Sequence, residues 1–409
     1  MDNNSILDCQ YTALKMKGGL AAYAVDELLE KKIIRSHREL VPDNLAYILD
    51  QAYRNGITRK TINNLEHVID LLHICIGEAR EYVRLADSHD IKVISEEDEE
   101  YPYPWRYLTG MPRVFFAKGH TEFLKDIFTS GSAAVVGSRN PGRYSMYATE
   151  QFVKDLCEPG VVVVSGLALG IDGQAHRVAL DSGGKTIAVT PGGVDVHYPF
   201  QHDALYTELY ERGLVISEMP PSQGIIKQYF PARNRLISAL SDVCLIMEGG
   251  KYSGTLHTAS YAGSQGKDVF VLPNSIYSEN CIGGLMLIKD GAEPLIESTT
   301  LLDRIKGIVM ERVKEDGENY PELLKCNGIL AAPGEDLVGK MKAAPESLEK
   351  DEWKSIIKIF VEEKPRNFDE LSKLVLLDTG RLMSLLTEME FDREVETDRD
   401  KYVLTIQKN

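Results

Sequence analysis

A chain of 409 residues is longer than one ordinary hydrophobic core supports, and its 43% apolar and 26% charged composition excludes a disordered, fibrous or low-complexity protein. Its longest apolar runs, such as Val161 to Val164 and Val243 to Met247, fall far short of the roughly 20 residues that cross a bilayer, so no membrane partner is expected. A formal net charge of −16 excludes a surface coated with cations for nucleic acid, and any such site has to be local.

The opening Met-Asp-Asn-Asn has no basic stretch followed by an apolar one, so a cytoplasmic location is expected. From Tyr11 to Leu85 apolar residues recur at three- and four-residue spacing, as at Leu65, Val68, Ile69, Leu72 and Ile76, which predicts a small helical domain over 1–88. Residues 89–130 form a proline- and tyrosine-bearing connector, with Val114 to Ala117 as a short strand, that packs on the central domain.

From Ala133 the pattern changes to β-branched runs alternating with helical stretches: 133–137, 161–166, 185–190, 214–219, 243–248 and 268–272. Strands buried on both faces read as continuous apolar runs, and the intervals of about twenty residues suit helical crossovers. The fold class expected over 131–297 is therefore α/β, a Rossmann-like, doubly wound and mostly parallel sheet. Residues 298–350 show no sustained periodicity and are expected to be an extension and linker. Residues 351–409 read as short helices, Trp353 to Phe360, Phe368 to Val375 and Thr379 to Met389, before a hairpin over Arg393 to Leu404, which is the order of a winged helix. The six cysteines have no C-x-x-C spacing and several sit in apolar runs, so neither zinc, disulfides nor another cofactor is expected.

Ligands of open α/β sheets bind beyond the carboxyl ends of the strands. There this chain places Gly137-Ser138-Arg139-Asn140-Pro141 after the first strand, and Ser165-Gly166-Leu167-Ala168-Leu169-Gly170-Ile171-Asp172 after the second. Glycine admits an anion close to the backbone, serine donates a hydroxyl, and the following helix start offers free N–H groups. Phosphate binding is one reading; tight strand-to-helix turns are the other, since neither segment matches G-x-G-x-x-G or a P-loop. Ser253-Gly254-Thr255, after the fifth strand, repeats the arrangement. Asp172 and His176 are four apart, as an acid–base pair or, more simply, a helix-capping aspartate and a surface contact. In Phe230-Pro231-Ala232-Arg233-Asn234-Arg235 two arginines crowd the positive end of a helix, which calls for a bound anion or for ion pairs with acidic side chains. Lys227 adds charge, and Phe230 is either a stacking ring for a base or part of the core.

The motifs VVGSRNP, SGLALGID with His176, GGVDVHYP, FPARNRLISALS, SGTLHTA and DVFVLP, in this order, resemble the DprA/Smf family of DNA-processing proteins, and the resemblance extends over nearly the whole chain. It implies a sterile-alpha-motif-like helical N-terminus, a Rossmann-like core and a C-terminal winged helix. It further implies a non-enzymatic protein that binds single-stranded DNA, dimerises through the core and hands DNA to a RecA-type recombinase in natural transformation. Carried over by motif, Arg139, Lys227, Phe230, Arg233 and Arg235 contact DNA, with Gly137, Ser138, Ser165, Gly166, Gly170, Asn234, Ser253, Gly254 and Thr255 around the phosphates. Three positions depart from the pattern: the arginine of SGLARGID is Leu169, the glycine after V-x-P is Asn274, and the asparagine of G-x-N-x-L-I is Leu285. The lost arginine weakens binding unless Lys185 or Lys251 replaces it. Residues 350–409 carry eleven lysines and arginines against fourteen aspartates and glutamates, which fits a protein contact better than DNA reading. Two other functions are set against this one: a nucleoside-monophosphate hydrolase of the lysine-decarboxylase-like type, whose P-G-G-x-G-T-x-x-E signature is present only as Pro191-Gly192-Gly193, and a nucleotide-sensing module.

Overall fold

The structure is a computed structural model that describes residues 1–317, 320, 350–363, 368, 371, 375, 379–391, 395–398 and 401–404. The chain divides into two units, Met1–Ile329 and Leu330–Asn409.

The first unit begins with five helices, α1 (Asn3–Met16), α2 (Ala22–Glu30), α3 (Leu45–Arg54), α4 (Arg59–Asp70) and α5 (Leu72–Ser88). Next come β1 (Lys92–Ser95), β2 (Val114–Gly119), α6 (Phe123–Ser130), β3 (Ser132–Val136), α7 (Arg143–Cys157), β4 (Val162–Ser165), α8 (Ile171–Asp181) and β5 (Thr186–Val189). The alternation continues through α9 (Asp203–Arg212), β6 (Leu214–Ser217), α10 (Tyr229–Leu240), β7 (Val243–Ile246), α11 (Thr255–Ser264), β8 (Asp268–Val271), α12 (Ile282–Lys289), β9 (Glu293–Pro294) and α13 (Ser298–Asp316).

The nine strands form one sheet in the order β1-β2-β6-β5-β4-β3-β7-β8-β9. Every pairing from β6 through β9 is parallel, while β1 with β2 and β2 with β6 are antiparallel. The six apolar runs of the core are strands of a Rossmann-like sheet, as their buried-on-both-faces pattern predicts. The connector contributes more than packing, since it adds two strands to one edge. Alternate residues divide between two apolar layers: Phe116, Ala188 and Val215 on one face, Phe115, Ile187 and Ile216 on the other.

The N-terminal helices cover the first of these faces, with Leu14, Leu65, Cys75 and Tyr82 in the same cluster as Phe116 and Val215. Charge pairs fasten them. Lys15 reaches Glu218 at 2.8 Å, and Arg38 bridges Asp8 at 2.9 Å and Asp98 at 3.0 Å. Beside Asp8 lies His37, fully buried, with its Nε2 at 3.0 Å from the carboxylate.

Residues 298–316 differ from expectation. They form α13, which buries Leu301, Ile305, Val309 and Arg312 at helical spacing. Gly131, at φ 70°, lies so close that a β-carbon there would sit 2.4 Å from the Ile305 side chain, and the Arg312 guanidinium pairs with buried Asp242. The helical spacing is masked in the sequence because Arg312 occupies an inward position that an apolar pattern does not count.

The second unit contains α14 (Lys350–Glu363), α15 (Thr379–Phe391) and the antiparallel pair β10 (Val395–Asp398) and β11 (Lys401–Leu404). Trp353, Ile357, Leu382, Leu386, Met389 and Val395 share its core. Residues 321–349 of the predicted extension and linker over 298–350, and most of the predicted helix over 368–375, lie outside the described residues. Among the described residues no helix is long and apolar enough to cross a membrane, and no cluster of metal-ligating side chains occurs.

Candidate functional site

Strand order reverses at β3, which pairs with β4 on one side and β7 on the other. The turns after these three strands diverge from that point and leave a crevice, where α/β sheets bind ligands. The crevice encloses about 200 Å³ and is lined by Gly137, Arg139, Ala168, Asp172, Phe230, Arg233, Asn234 and Ser253 to Thr255, among others. A smaller recess beside it continues past Leu169, Pro191 and Tyr198. Glycine is required in the walls for steric reasons: a β-carbon on Gly137 would lie 2.5 Å from Ile171, and one on Gly170, at φ 80°, would lie 2.3 Å from the Ser138 carbonyl oxygen.

The floor of the crevice is occupied by the chain's own anion. Asp172, in the first turn of α8 and buried, accepts hydrogen bonds from the Gly137 amide at 3.3 Å and the Gly166 amide at 3.1 Å. The two glycine amides expected to cradle phosphate therefore cradle a carboxylate. Burial pushes the Asp172 carboxyl above the usual range, against the pull of Arg233 and of the amides of Gly137, Gly166 and Ala168. Arg233 is buried as well, and donates to the Gly166 and Val189 carbonyls, the latter at 2.7 Å. Ser165 is turned inward, its hydroxyl donating to the Val135 carbonyl at 2.6 Å. Arg235 pairs with Glu218.

These residues, predicted at the phosphates, thus hold the turns together instead. Of the two arginines on α10, Arg235 meets an acidic partner, the alternative that its position on the positive end of a helix left open, while Arg233 is held by backbone carbonyls within the field of the Asp172 carboxylate.

Of the remaining predicted residues, Arg139, Phe230, Asn234, Ser253, Gly254 and Thr255 line the crevice, and Lys227 and Ser138 lie on the segments that lead to it. Arg139 is exposed, with its guanidinium carbon 5.4 Å from the centre of the Phe230 ring, and it makes no ion pair among the described residues. Phe230 is half-buried, meets the exposed Tyr198 edge-on at 5.8 Å, and lines both the crevice and the recess beside it. Lys227 is exposed just before α10, likewise without an acidic partner among the described residues. Asn234 is half-buried and reaches the Gly254 carbonyl at 3.4 Å. Ser253 and Thr255 bond to one another at 2.9 Å, and Ser138 caps its own turn by accepting from the Asn140 amide at 3.1 Å.

Of the two candidate replacements for the missing arginine, Lys185 is at the opposite end of β5 and pairs with Asp126 at 2.7 Å. Lys251 is exposed beside the crevice. His176 does not face Asp172 as an acid–base partner. It is fully buried, with Nδ1 2.7 Å from the Thr186 hydroxyl, and burial pushes it down to about 3, so it stays neutral. Pro191-Gly192-Gly193 borders the smaller recess and is pinned by the Gly193 amide donating to the Gln223 carbonyl at 2.9 Å.

Residues 92–306, from β1 into α13, match the family model described as DNA recombination-mediator protein A. The chain belongs to the DprA/Smf family. It is 34% identical over 215 residues to the DNA processing protein DprA of Bacillus subtilis, covering 53% of this chain and 71% of that one. The X-ray structure of the Streptococcus pneumoniae DprA is 31% identical, covers 73% of this chain and 98% of its own, and superposes with a TM-score of 0.61. A structure of DNA processing protein A from Helicobacter pylori, concerned with its single-stranded DNA binding mode, is 30% identical over 55% of this chain and 96% of its own, with a TM-score of 0.46. As a DprA/Smf member the chain is a DNA-processing protein. The crevice and the turns that line it lie within the matched span.

Proposed function

We propose that this protein is a non-enzymatic, cytoplasmic mediator that binds single-stranded DNA at the β3–β4–β7 crevice and hands it to a RecA-type recombinase. The observation that carries the proposal is Arg139, an exposed arginine with no ion pair among the described residues, poised over a crevice-facing aromatic ring in a chain of net charge −16. Phosphates meet Arg139, Lys227 and the Ser253–Gly254–Thr255 turn at the rim, because the Gly137 and Gly166 amides are already filled by Asp172. An aromatic face in such a cleft stacks a base only where that base has left a duplex, which favours a single strand. His176, buried and neutral, and Asp172, tied to two amides, provide no free acid–base pair for glycosidic cleavage, which counts against the hydrolase reading. The acidic second unit then serves as a protein contact, to the recombinase or a second subunit, and the core as the dimer interface.

The test is a mobility shift on single-stranded DNA over a range of salt. Wild type binds at low salt, and an Arg139→Ala, Lys227→Ala double variant binds more weakly with a salt slope flatter by about 2. Equal binding by the two proteins removes the rim from the DNA site. Release of free base from a nucleoside monophosphate by wild type, abolished by Asp172→Asn, would establish an enzyme instead.

A further inference from the structure

Beyond the crevice, the turns after β7 and β8 carry two large aromatic rings almost wholly in solvent, Tyr252 at 91% and Tyr277 at 90% exposure. Burying a tyrosine ring stabilises a fold, and neither ring is used that way. Lys251 lies beside the first ring, its Nζ 5.6 Å from the centre. Arg143 opens α7, at the positive end of a helix, exposed and without an acidic partner among the described residues.

The three turns are locked to one another. Buried Glu248 accepts from the Gly142 amide at 2.9 Å and from the Ser145 hydroxyl at 2.7 Å, which fastens the turn after β7 to the start of α7. Asn274, after β8, donates to the same Ser145 hydroxyl at 3.2 Å. The Gly284 amide donates to the Gly249 carbonyl at 3.0 Å, and a β-carbon on Gly250 would lie 3.3 Å from the Glu279 carbonyl, so the turn after β7 packs against the segment that enters α12 just after Tyr277. Tyr252, finally, directly precedes the Ser253–Gly254–Thr255 wall of the crevice.

We propose that a single-stranded nucleic acid leaving the crevice runs over these turns, with Tyr252 and Tyr277 stacking bases while Lys251 and Arg143 hold the phosphates between them. The proposal rests on the crevice being the DNA site, and extends it toward β8. Charge complementarity favours this occupant, because free cations are scarce in an acidic chain, and every base offers a face to an exposed ring whatever the sequence. It also assigns a purpose to Asn274. This departure from the family pattern ties the turn that carries Tyr277 to Ser145, which is tied in turn to Glu248 at the start of the turn that carries Tyr252.

The experiment measures fluorescence anisotropy of the full chain with oligothymidines of about four and about sixteen nucleotides. Tyr252→Ala and Tyr277→Ala each weaken binding of the longer strand by about fivefold to a hundredfold and leave the shorter one unchanged. Tyr252→Phe and Tyr277→Phe keep wild-type affinity because the ring remains, and Arg139→Ala weakens both strands. Both side chains are so exposed that their removal leaves the fold intact. Unchanged long-strand affinity in the alanine variants overturns the extension and leaves the crevice reading standing, as does a phenylalanine variant as weak as its alanine counterpart. Wild type that binds neither strand overturns both.

Discussion

Arg233 and Arg139 both line the crevice, and replacing each by alanine separates a buried strut from the proposed, exposed DNA contact. Arg233→Ala removes the guanidinium that faces the Asp172 carboxylate and that donates to the Gly166 and Val189 carbonyls. Removing the cation whose field offsets a buried carboxylate costs up to about 3–5 kcal/mol, and a buried acceptor that loses its donor adds about 1–3 kcal/mol. These costs overlap, because Gly166 touches both charged groups, so a combined loss of about 4–5 kcal/mol is the expectation. In a unit as large as Met1–Ile329 each kcal/mol lowers Tm by about 2 °C, which places the variant about 10 °C below wild type. Arg139→Ala, at an exposed position, stays within about 0.5 kcal/mol of wild type and instead weakens DNA binding.

Thermal unfolding followed by tryptophan fluorescence reads this directly, since Trp105 is buried in the first unit. Adding Asp172→Asn to Arg233→Ala recovers part of the loss, because the uncompensated carboxylate is gone. An Arg233→Ala protein that melts with wild type yet no longer binds DNA would refute the inward assignment. So would an Arg139→Ala protein that melts about 10 °C lower.

Leu169, half-buried at the recess beside the crevice, offers a gain-of-function test: Leu169→Arg strengthens binding of single-stranded DNA and steepens its salt slope by about 1, measured by anisotropy from low to moderate salt. Burial lowers His37, but hydrogen bonds to Asp8 and Glu96 outweigh it and hold the ring above its ordinary value. The stabilisation from its charged form is therefore complete below about pH 6.5 and is lost as pH rises through the folded value, so Tm of the first unit declines over that window and His37→Gln removes this part of the slope. Burial pushes the thiols of Cys9 and Cys244 up to about 12 and Cys157 to about 11. Native protein therefore leaves these three unmodified by an alkylating reagent at about pH 8, as peptide mapping will show, and modifies them only after unfolding.

The parallel core was legible because strands such as Val162 to Ser165, buried on both faces, are dominated by consecutive valines that show as an unbroken apolar run. The antiparallel edge was less so. Lys92 to Ser95 is four residues long, begins with an exposed lysine and ends with a buried serine, so nothing in its composition separates it from a loop. Helix α13 was hidden by Arg312, a charged residue on an inward face, whose partner Asp242 is seventy positions away. What a linear pattern cannot register is a polar group satisfied by another polar group distant in sequence.

The same limit governs the crevice and explains which part of it was misread. Glycine and serine at strand ends mark a place where backbone amides are open, and this much followed from residue type. Which anion fills them depends on whether an acidic side chain folds back. Asp172 does so from the first turn of α8, six residues beyond Gly166 and thirty-five beyond Gly137. With that carboxylate on the amides, Arg233 held inward by the Gly166 and Val189 carbonyls and Ser165 turned to the sheet, the positive charge left near the crevice for an external ligand lies on exposed side chains such as Arg139, Lys227 and Lys251. An internal anion at the floor also repels a phosphate that would otherwise lodge there. The geometry therefore favours a polymer whose charges run along the outside while its uncharged parts face the cleft, which a nucleic acid strand satisfies and inorganic phosphate does not.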